Sequence, residues 1–171
     1  MLPSPITGMT DWDVVARLVL ATVLSGLVGV EREFHRKPAG LRTNVMVGLG
    51  SAIFTLVSIR AVDLFPGLVS VDPTRIAAQI VTGIGFLGVG TILYEKDRSS
   101  VIGLTTAATL WVVAAVGMAV GMGLYTEAIV STLLVFFTFL ILSRIVDVVR
   151  HKTTDPNIAE HERDSHITHN Q

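Results

Sequence analysis

The sequence predicts an all-α membrane protein, a bundle of five transmembrane helices. Half of its 171 residues are hydrophobic and only 16% are charged, whereas about 25% of residues are charged in soluble proteins. A soluble domain of this length keeps much of its surface in water, so it could not bury so many apolar side chains in one core. A bilayer accommodates them, and the mean hydropathy of +0.62 agrees with this interpretation.

Five apolar stretches approach the roughly 20 residues that a transmembrane helix needs. They predict spans at residues 14–30, 43–59, 76–94, 103–123 and 128–146. Asp72 can cap the third helix, and Pro73 suits its first turn. The fifth stretch contains Arg144 near its end, where a long basic side chain can reach the interface. We also expect a short interfacial helix between Arg60 and Gly67, and residues 1–150 form one membrane domain.

Basic residues are concentrated in alternate loops. They lie in the loop after the first span, in the loop after the third span (Lys96 and Arg98), and after the fifth span. The N-terminal stretch has no Lys or Arg before Arg17 and contains two aspartates, so we expect no cleaved signal peptide. The positive-inside rule places the N-terminus outside and the C-terminus in the cytoplasm. Five spans satisfy that parity.

The run GIGFLGVG, Gly83–Gly90, contains the pattern G-x-G-x-x-G. It lies inside an apolar run that starts as a helix, and no strand precedes it, so its context argues against a dinucleotide site. We interpret it as a packing surface, because membrane helices approach one another through small residues. The fourth span carries a G-x-x-x-G motif. The glycines expected at helix contacts are Gly26, Gly29, Gly48, Gly83, Gly85, Gly88, Gly117 and Gly121.

Charged side chains mark both ends of the first span. Arg17 lies one turn inside the outer end, with Asp13 at i−4, which predicts a helix-end ion pair. A charge that faces a water-filled vestibule is the alternative interpretation of Arg17. Glu31, Arg32 and Glu33 close the span on the cytoplasmic side.

The second span opens with Arg42, Thr43 and Asn44, and the short connection brings these residues close to the end of the first span. Pairing of Glu31 or Glu33 with Arg42 would brace the two helices. As an alternative, Glu31 could hold a hydrated divalent cation, because magnesium typically takes one or two carboxylates plus waters.

Hydroxyl and amide side chains occur within the third and fourth spans. Gln79 and Thr82 share one face of the third, and Thr105, Thr106 and Thr109 start the fourth. Hydrogen bonds between helices are the expected role, and a permeation path is the alternative. No Asp or Glu lies in the core of any predicted span, and a selective magnesium pore usually needs such carboxylates.

Other function classes find little support in the sequence. There is no phosphate-binding Walker A motif and no Ser/His/Asp set, so we predict neither an enzyme nor a cofactor. The chain has no cysteine, and its net charge of −1 gives no argument for nucleic acid. Residues 151–171 contain four histidines, which suggest a metal site, but this polar segment has nothing apolar to fold around and we expect a disordered cytoplasmic tail.

Four strings occur in an order that is specific when taken together: GLVGVERE, GLRTN, RIAAQIVTGIGFLG and GLTTAATLW. They cover about Arg17 to Tyr125 and resemble the MgtC/SapB family of bacterial inner-membrane proteins. The family's ER pair matches Glu31 and Arg32, its GLRTN string matches Gly40–Asn44, and its AAQIVSGIGFLG string matches Ala77–Gly88.

The resemblance implies five membrane helices and a cytoplasmic C-terminal end. It also implies a role in growth at low magnesium and in survival inside macrophages, exerted through the F-type ATP synthase and the membrane potential and regulated by a small membrane peptide. We therefore expect a non-enzymatic regulator that binds another membrane protein or a small membrane peptide, or forms a homo-oligomer, through helix contacts. A transporter or channel for Mg²⁺ or another cation is the alternative function.

Two departures from the family pattern qualify this expectation. Virulence-type members carry Asn where this chain has Thr105, and Arg where it has Ile102, which indicates a general member of the family. Longer members continue into a soluble domain that resembles ACT regulatory domains, whereas this chain ends about 20 residues after its last span, so a function that depends on that domain is not expected.

Overall fold

The computed structural model describes residues 8–64, 75–95 and 100–153. Within these ranges the chain forms five α-helices and one small antiparallel hairpin. The elements, in chain order, are α1 Asp11–Phe34, α2 Leu41–Leu64, α3 Arg75–Gly90, β1 Leu93–Glu95, β2 Ser100–Ile102, α4 Leu104–Met122 and α5 Tyr125–Thr153. The predicted helical architecture is therefore present, and the hairpin was not predicted.

Helix α1 begins with a capping box. The Thr10 hydroxyl accepts a hydrogen bond from the Asp13 backbone N–H at 3.2 Å, and the Asp13 carboxylate accepts one from the Thr10 backbone N–H at 2.8 Å. This reciprocal arrangement satisfies backbone donors at the exposed helix start. It also engages the carboxylate that the sequence suggested as the partner of Arg17.

The turn between α1 and α2 is tight, with positive φ at Arg36 and Ala39. The Glu33 carboxylate accepts a hydrogen bond from the Leu41 backbone N–H at 3.0 Å, so a side chain from the end of α1 caps the start of α2. Helix α2 continues to Leu64. The first part of the expected interfacial helix thus belongs to α2, and residues 65–67 lie outside the described residues.

The predicted third span, residues 76–94, is wrong at its C-terminal end. Helix α3 ends at Gly90, and the chain then turns into β1. The Thr91 hydroxyl donates to the Gly88 carbonyl at 2.8 Å, and Tyr94 pairs with Val101 in the hairpin. Gly103 follows with φ of 93°, where an added Cβ would meet the Thr91 carbonyl. Glycine is therefore required to close the hairpin onto α4.

The chain divides into two compact units, Met1–Leu134 and Val135–Gln171. The first unit has a small apolar core in which α1, α2, α4 and the start of α5 meet, formed by Ala21, Leu24, Ala52, Val116, Val120 and Ala128. The second unit contains the C-terminal part of α5.

Helices α2 and α4 pack in parallel through glycines. A Cβ on Gly117 would meet the backbone of Gly48, and one on Gly121 would meet Ala52 and Thr55. Helix α1 runs antiparallel to both, because Gly29 lies against Leu41 while Arg17 reaches Gly121. Without side chains between them, the backbones of α2 and α4 come into direct contact.

Three helices of the described residues are long and apolar enough to cross a membrane: Asp11–Phe34, Leu41–Ala61 and Leu104–Met122. The apolar parts of the other two, Ala77–Gly90 and Tyr125–Ile141, are shorter. The 16 residues of α3 extend about 24 Å at 1.5 Å per residue, less than the roughly 30 Å hydrocarbon core.

We predict that Gly117→Ala destabilises the bundle, because the new methyl group meets the Gly48 backbone. Overpacking of this kind costs about 1–3 kcal/mol. Gly50→Ala is the matched control, since a Cβ at Gly50 meets no atom within 4 Å and alanine favours the helix. Thermal unfolding in detergent measures the difference, and equal midpoints for the two variants would contradict the assigned contact.

Candidate functional site

Arg32 is the buried charged residue at the end of α1. Only 4% of it is exposed, and its Nη2 donates a hydrogen bond to the Thr106 hydroxyl at 2.9 Å. Thr106 itself is 2% exposed. The contact joins the last turn of α1 to the first turn of α4, and a guanidinium in the last turn also interacts favourably with the C-terminal end of the helix dipole.

Glu31 precedes Arg32 and is largely shielded, with 9% of its side chain exposed. Its Oε1 lies 3.1 Å from Nδ1 of His35. Its Oε2 is buried, and it has no hydrogen-bond partner among the described residues. A buried carboxylate oxygen without a donor is costly, so this atom is a candidate for binding water or a cation.

The predicted ion pair of Glu31 or Glu33 with Arg42 is not formed. Arg42 is exposed and takes part in neither salt bridge found among the described residues. Glu33 instead accepts the Leu41 backbone N–H. The carboxylate braces the turn through the start of α2, because the tight connection brings backbone donors closer than the Arg42 side chain.

Asn44 is fully buried one turn into α2. Its Nδ2 donates to the carbonyls of Ala39 at 2.6 Å and Gly40 at 2.9 Å, which holds the strained turn. A Cβ added at Gly29 would lie 3.1 Å from the Asn44 Cβ, so α1 passes close to Asn44. Its Oδ1 is buried without a hydrogen-bond partner among the described residues.

Arg17 lies at the opposite end of the bundle. Its Nη1 donates to the Gly121 carbonyl at 2.7 Å, and its Nε donates to the Tyr125 hydroxyl at 3.1 Å. An arginine placed at the end of α4 satisfies a carbonyl that has no partner within the helix. The predicted ion pair with Asp13 is replaced by this contact, which joins α1 to the turn between α4 and α5.

The other predicted polar residues fall on different surfaces. Gln79, Thr82 and Thr105 are exposed, while Thr109 is buried and its hydroxyl donates to the Thr105 carbonyl at 2.7 Å. The sequence grouped Thr106 with Thr105 and Thr109, but it did not single out Tyr125 or the buried hydroxyls of α2 at Ser51, Thr55 and Ser58. The hydroxyls recur with Asn44 at intervals of three, four and seven residues, a helical spacing that could have revealed them.

The predicted glycines fall into two groups. Gly26, Gly29, Gly48, Gly117 and Gly121 lie against neighbouring helices, and Gly88 lies 3.5 Å from the Ala107 side chain, measured from an added Cβ. A Cβ on Gly83 or Gly85 meets nothing within 4 Å. The described residues therefore leave two sides of α3 open.

Two clefts adjoin α3. The larger, of 580 Å³, lies between α2 and α3 and includes Thr43, Phe54, Gln79, Gly83 and Leu87 in its lining. The smaller, of 290 Å³, lies between α3 and α4 and includes Val81, Trp111 and Ala115. Both are lined mainly by apolar side chains, which suits hydrocarbon chains or helices more than polar solutes.

Long apolar helices, glycine contacts between backbones and a buried arginine define a helical integral membrane protein. Residues 18–148 match the MgtC family. The chain belongs to this family, which confirms the resemblance seen in its sequence motifs.

Several curated bacterial proteins are similar to it. An Escherichia coli protein named "Putative magnesium transporter YhiD" is 48% identical over 130 residues, which cover 73% of this chain and 60% of the relative. Protein MgtC of Brucella abortus is 47% identical over 78% of this chain and 53% of the relative. Protein SapB of Bacillus subtilis is 39% identical over 80% and 59%.

The chain thus spans 53–60% of the length of these relatives, and none of the three names denotes an enzyme. No solved structure matches the chain.

We predict that Thr106→Val destabilises the bundle by about 1–3 kcal/mol, because the variant keeps the shape of the side chain but removes a buried hydrogen bond to a guanidinium. Thr106→Ser retains the hydroxyl and is the matched control. Chemical unfolding in mild detergent measures both. A Thr106→Val protein as stable as Thr106→Ser would show that the hydrogen bond contributes little.

Proposed function

We propose that this chain is a non-enzymatic regulator in the bacterial inner membrane, linked to growth in low magnesium and to membrane energetics, which acts through transmembrane helix contacts. The observation that carries the proposal is the outer face of α3, which the described residues leave uncovered. A Cβ on Gly85 meets nothing within 4 Å, and Phe86 and Val89 beside it are 82% and 70% exposed.

A helix partner fits this face for a physical reason. Lipid gives no hydrophobic drive for helix association, so close backbone approach at small residues supplies the binding energy. Val81 lies one turn before Gly85 and lines the 290 Å³ cleft between α3 and α4. A helix ridge laid into that cleft would meet the Gly85 backbone, whereas the buried glycines of α2 and α4 are already used within the chain.

The proposal includes five membrane spans, with the N-terminus outside and the C-terminus in the cytoplasm. The end of α1 and the end of α3 both lie beside the start of α4, through Arg32–Thr106 and Gly88–Ala107. The exposed Arg36, Lys37 and Arg42 belong to the same end. A basic surface at that end supports a cytoplasmic position for it.

The partner is another membrane protein or a small membrane peptide, and we predict that Gly85→Leu prevents its binding. The bulky side chain occupies open space in this chain, so the fold survives while the approach of a helix is blocked. Crosslinking in native membranes, followed by mass spectrometry, measures partner capture. Gly50→Leu is the control, because Gly50 is equally open but lies on α2.

Capture by Gly85→Leu at the wild-type level, in a variant that inserts normally, would refute a partner on this face. Loss of capture in Gly50→Leu as well would move the contact from the outer face of α3 to the α2–α3 side.

Cation transport is the second candidate function, and the buried Oε2 of Glu31 is the observation that favours it. A lone carboxylate with waters is a donor set that magnesium accepts, and the Escherichia coli relative carries the name "Putative magnesium transporter YhiD". Against it, the described residues contain no group of three or more His, Cys, Asp or Glu side chains that could hold a metal ion.

For a regulator, we expect no Mg²⁺ flux into proteoliposomes that contain the folded chain. Flux that Glu31→Gln abolishes and Glu33→Gln leaves intact would instead establish transport and overturn the regulator proposal. Glu33→Gln is a matched control, because its remaining carbonyl oxygen can still accept the Leu41 N–H. A magnesium-sensitive dye inside the vesicles measures the flux.

A further inference from the structure

We propose that the cleft between α2 and α3 is a binding site for one anionic phospholipid, with an acyl chain in the cleft and its phosphate at the start of α2. The cleft measures 580 Å³, within the range of about 300–1,000 Å³ that is usual for ligand sites. This assignment is independent of the regulator proposal, because it concerns the other side of α3.

The length of the cleft suits a single acyl chain. Its lining runs from Thr43 to Phe54 on α2, which is about 17 Å at 1.5 Å per residue. This length matches one leaflet, half of the roughly 30 Å hydrocarbon core. A single acyl chain of one leaflet ends near the midplane, as this lining does.

The walls of the cleft suit a flexible hydrocarbon. Leu87 and Phe54 present exposed apolar surface, and Gly50 and Gly83 leave opposite walls open, since a Cβ on either meets no atom within 4 Å. An empty apolar cleft beside lipid would lose dispersion contacts along its lining. An acyl chain, unlike water, fills such a space without needing hydrogen bonds.

Charge at one end of the cleft selects the headgroup. Arg42 is exposed directly before Thr43, which lines the cleft, and Arg36 and Lys37 are exposed in the preceding turn. The nearby carboxylate of Glu33 is engaged by the Leu41 N–H. These three cations, together with the positive end of the α2 dipole, form a surface that attracts an anionic phosphate group.

Native mass spectrometry of the full chain, released from nanodiscs with equal phosphatidylglycerol and phosphatidylcholine, tests the site. We expect the wild type to retain one phosphatidylglycerol molecule. Gly83→Leu and Gly50→Leu fill the cleft from opposite walls and should each reduce that adduct at least tenfold. Gly85→Leu, on the outer face of α3, should retain it, which separates this test from the test of partner capture.

Arg42→Gln tests the headgroup. Its acyl site is intact, so we expect lipid to remain bound while the preference for phosphatidylglycerol over phosphatidylcholine falls about five-fold, the effect of one basic residue at an anionic surface. Circular dichroism and gel filtration confirm that each variant is folded before the adducts are compared. The two cleft-filling substitutions lie on different helices, Gly50→Leu on α2 and Gly83→Leu on α3. If one of these variants fails to fold, the other still tests the acyl site.

Three outcomes would overturn the proposal. The wild type could carry no lipid, or all variants could carry the same amount. In the third outcome, the mass lost in the folded cleft-filling variant would be that of a peptide or a second copy of this chain, which would identify a different occupant.

Discussion

The direct contact between the backbones of α2 and α4 is the constraint on which the rest of the bundle depends. A side chain at Gly117 would collide with the Gly48 backbone, and one at Gly121 would collide with Ala52 and Thr55. Because the two helices touch, α1 can reach both of them at once. Its Ser25 lies against Gly48, and its Arg32 reaches Thr106 on α4. The polar contacts at the end of the bundle are therefore consequences of glycine packing, since a wider separation would move the Thr106 hydroxyl out of reach of Arg32.

The sequence could predict those parts of this arrangement that depend on residue spacing within one helix. It could not predict those that depend on contacts between distant segments. The spacing of Gly117 and Gly121, repeated in Gly48 and Ala52, marks two small-residue faces, and small residues are what membrane helices need at contacts. The spacing does not say which faces meet. The end of α3 could not be predicted from hydropathy, because the residues after Gly90 remain apolar. What ends the helix is pairing with β2 and the left-handed conformation of Gly103, both of which depend on the chain beyond it.

The polar residues were likewise predictable as residues, but their partners were not. Arg32 and Asn44 could be singled out because polar groups at membrane depth are costly and need partners. Their partners could not be named. Thr105 and Thr106 are adjacent on α4, about 100° apart around the helix, and only the direction of α1 decides which hydroxyl receives the guanidinium. Likewise, Arg42 was a plausible partner of Glu33 by charge, but the turn geometry favoured the backbone N–H of Leu41.

The G-x-G-x-x-G pattern of α3 acquires a physical meaning from this geometry. At about 100° per residue, Gly85 lies about 200° and Gly88 about 140° around the helix from Gly83. The motif therefore places Gly83 on one side of this short helix and Gly85 and Gly88, about 60° apart, on the other. Gly88 meets Ala107 of α4, Gly83 lines the cleft beside α2, and Gly85 faces outward. Because these glycines carry no side chains, α3 can contact its own bundle, a lipid and a partner helix within the same two turns. A large residue at Gly83 would obstruct the side beside α2, and one at Gly85 would obstruct the opposite side, so the functions proposed for the two open sides of α3 can be tested separately.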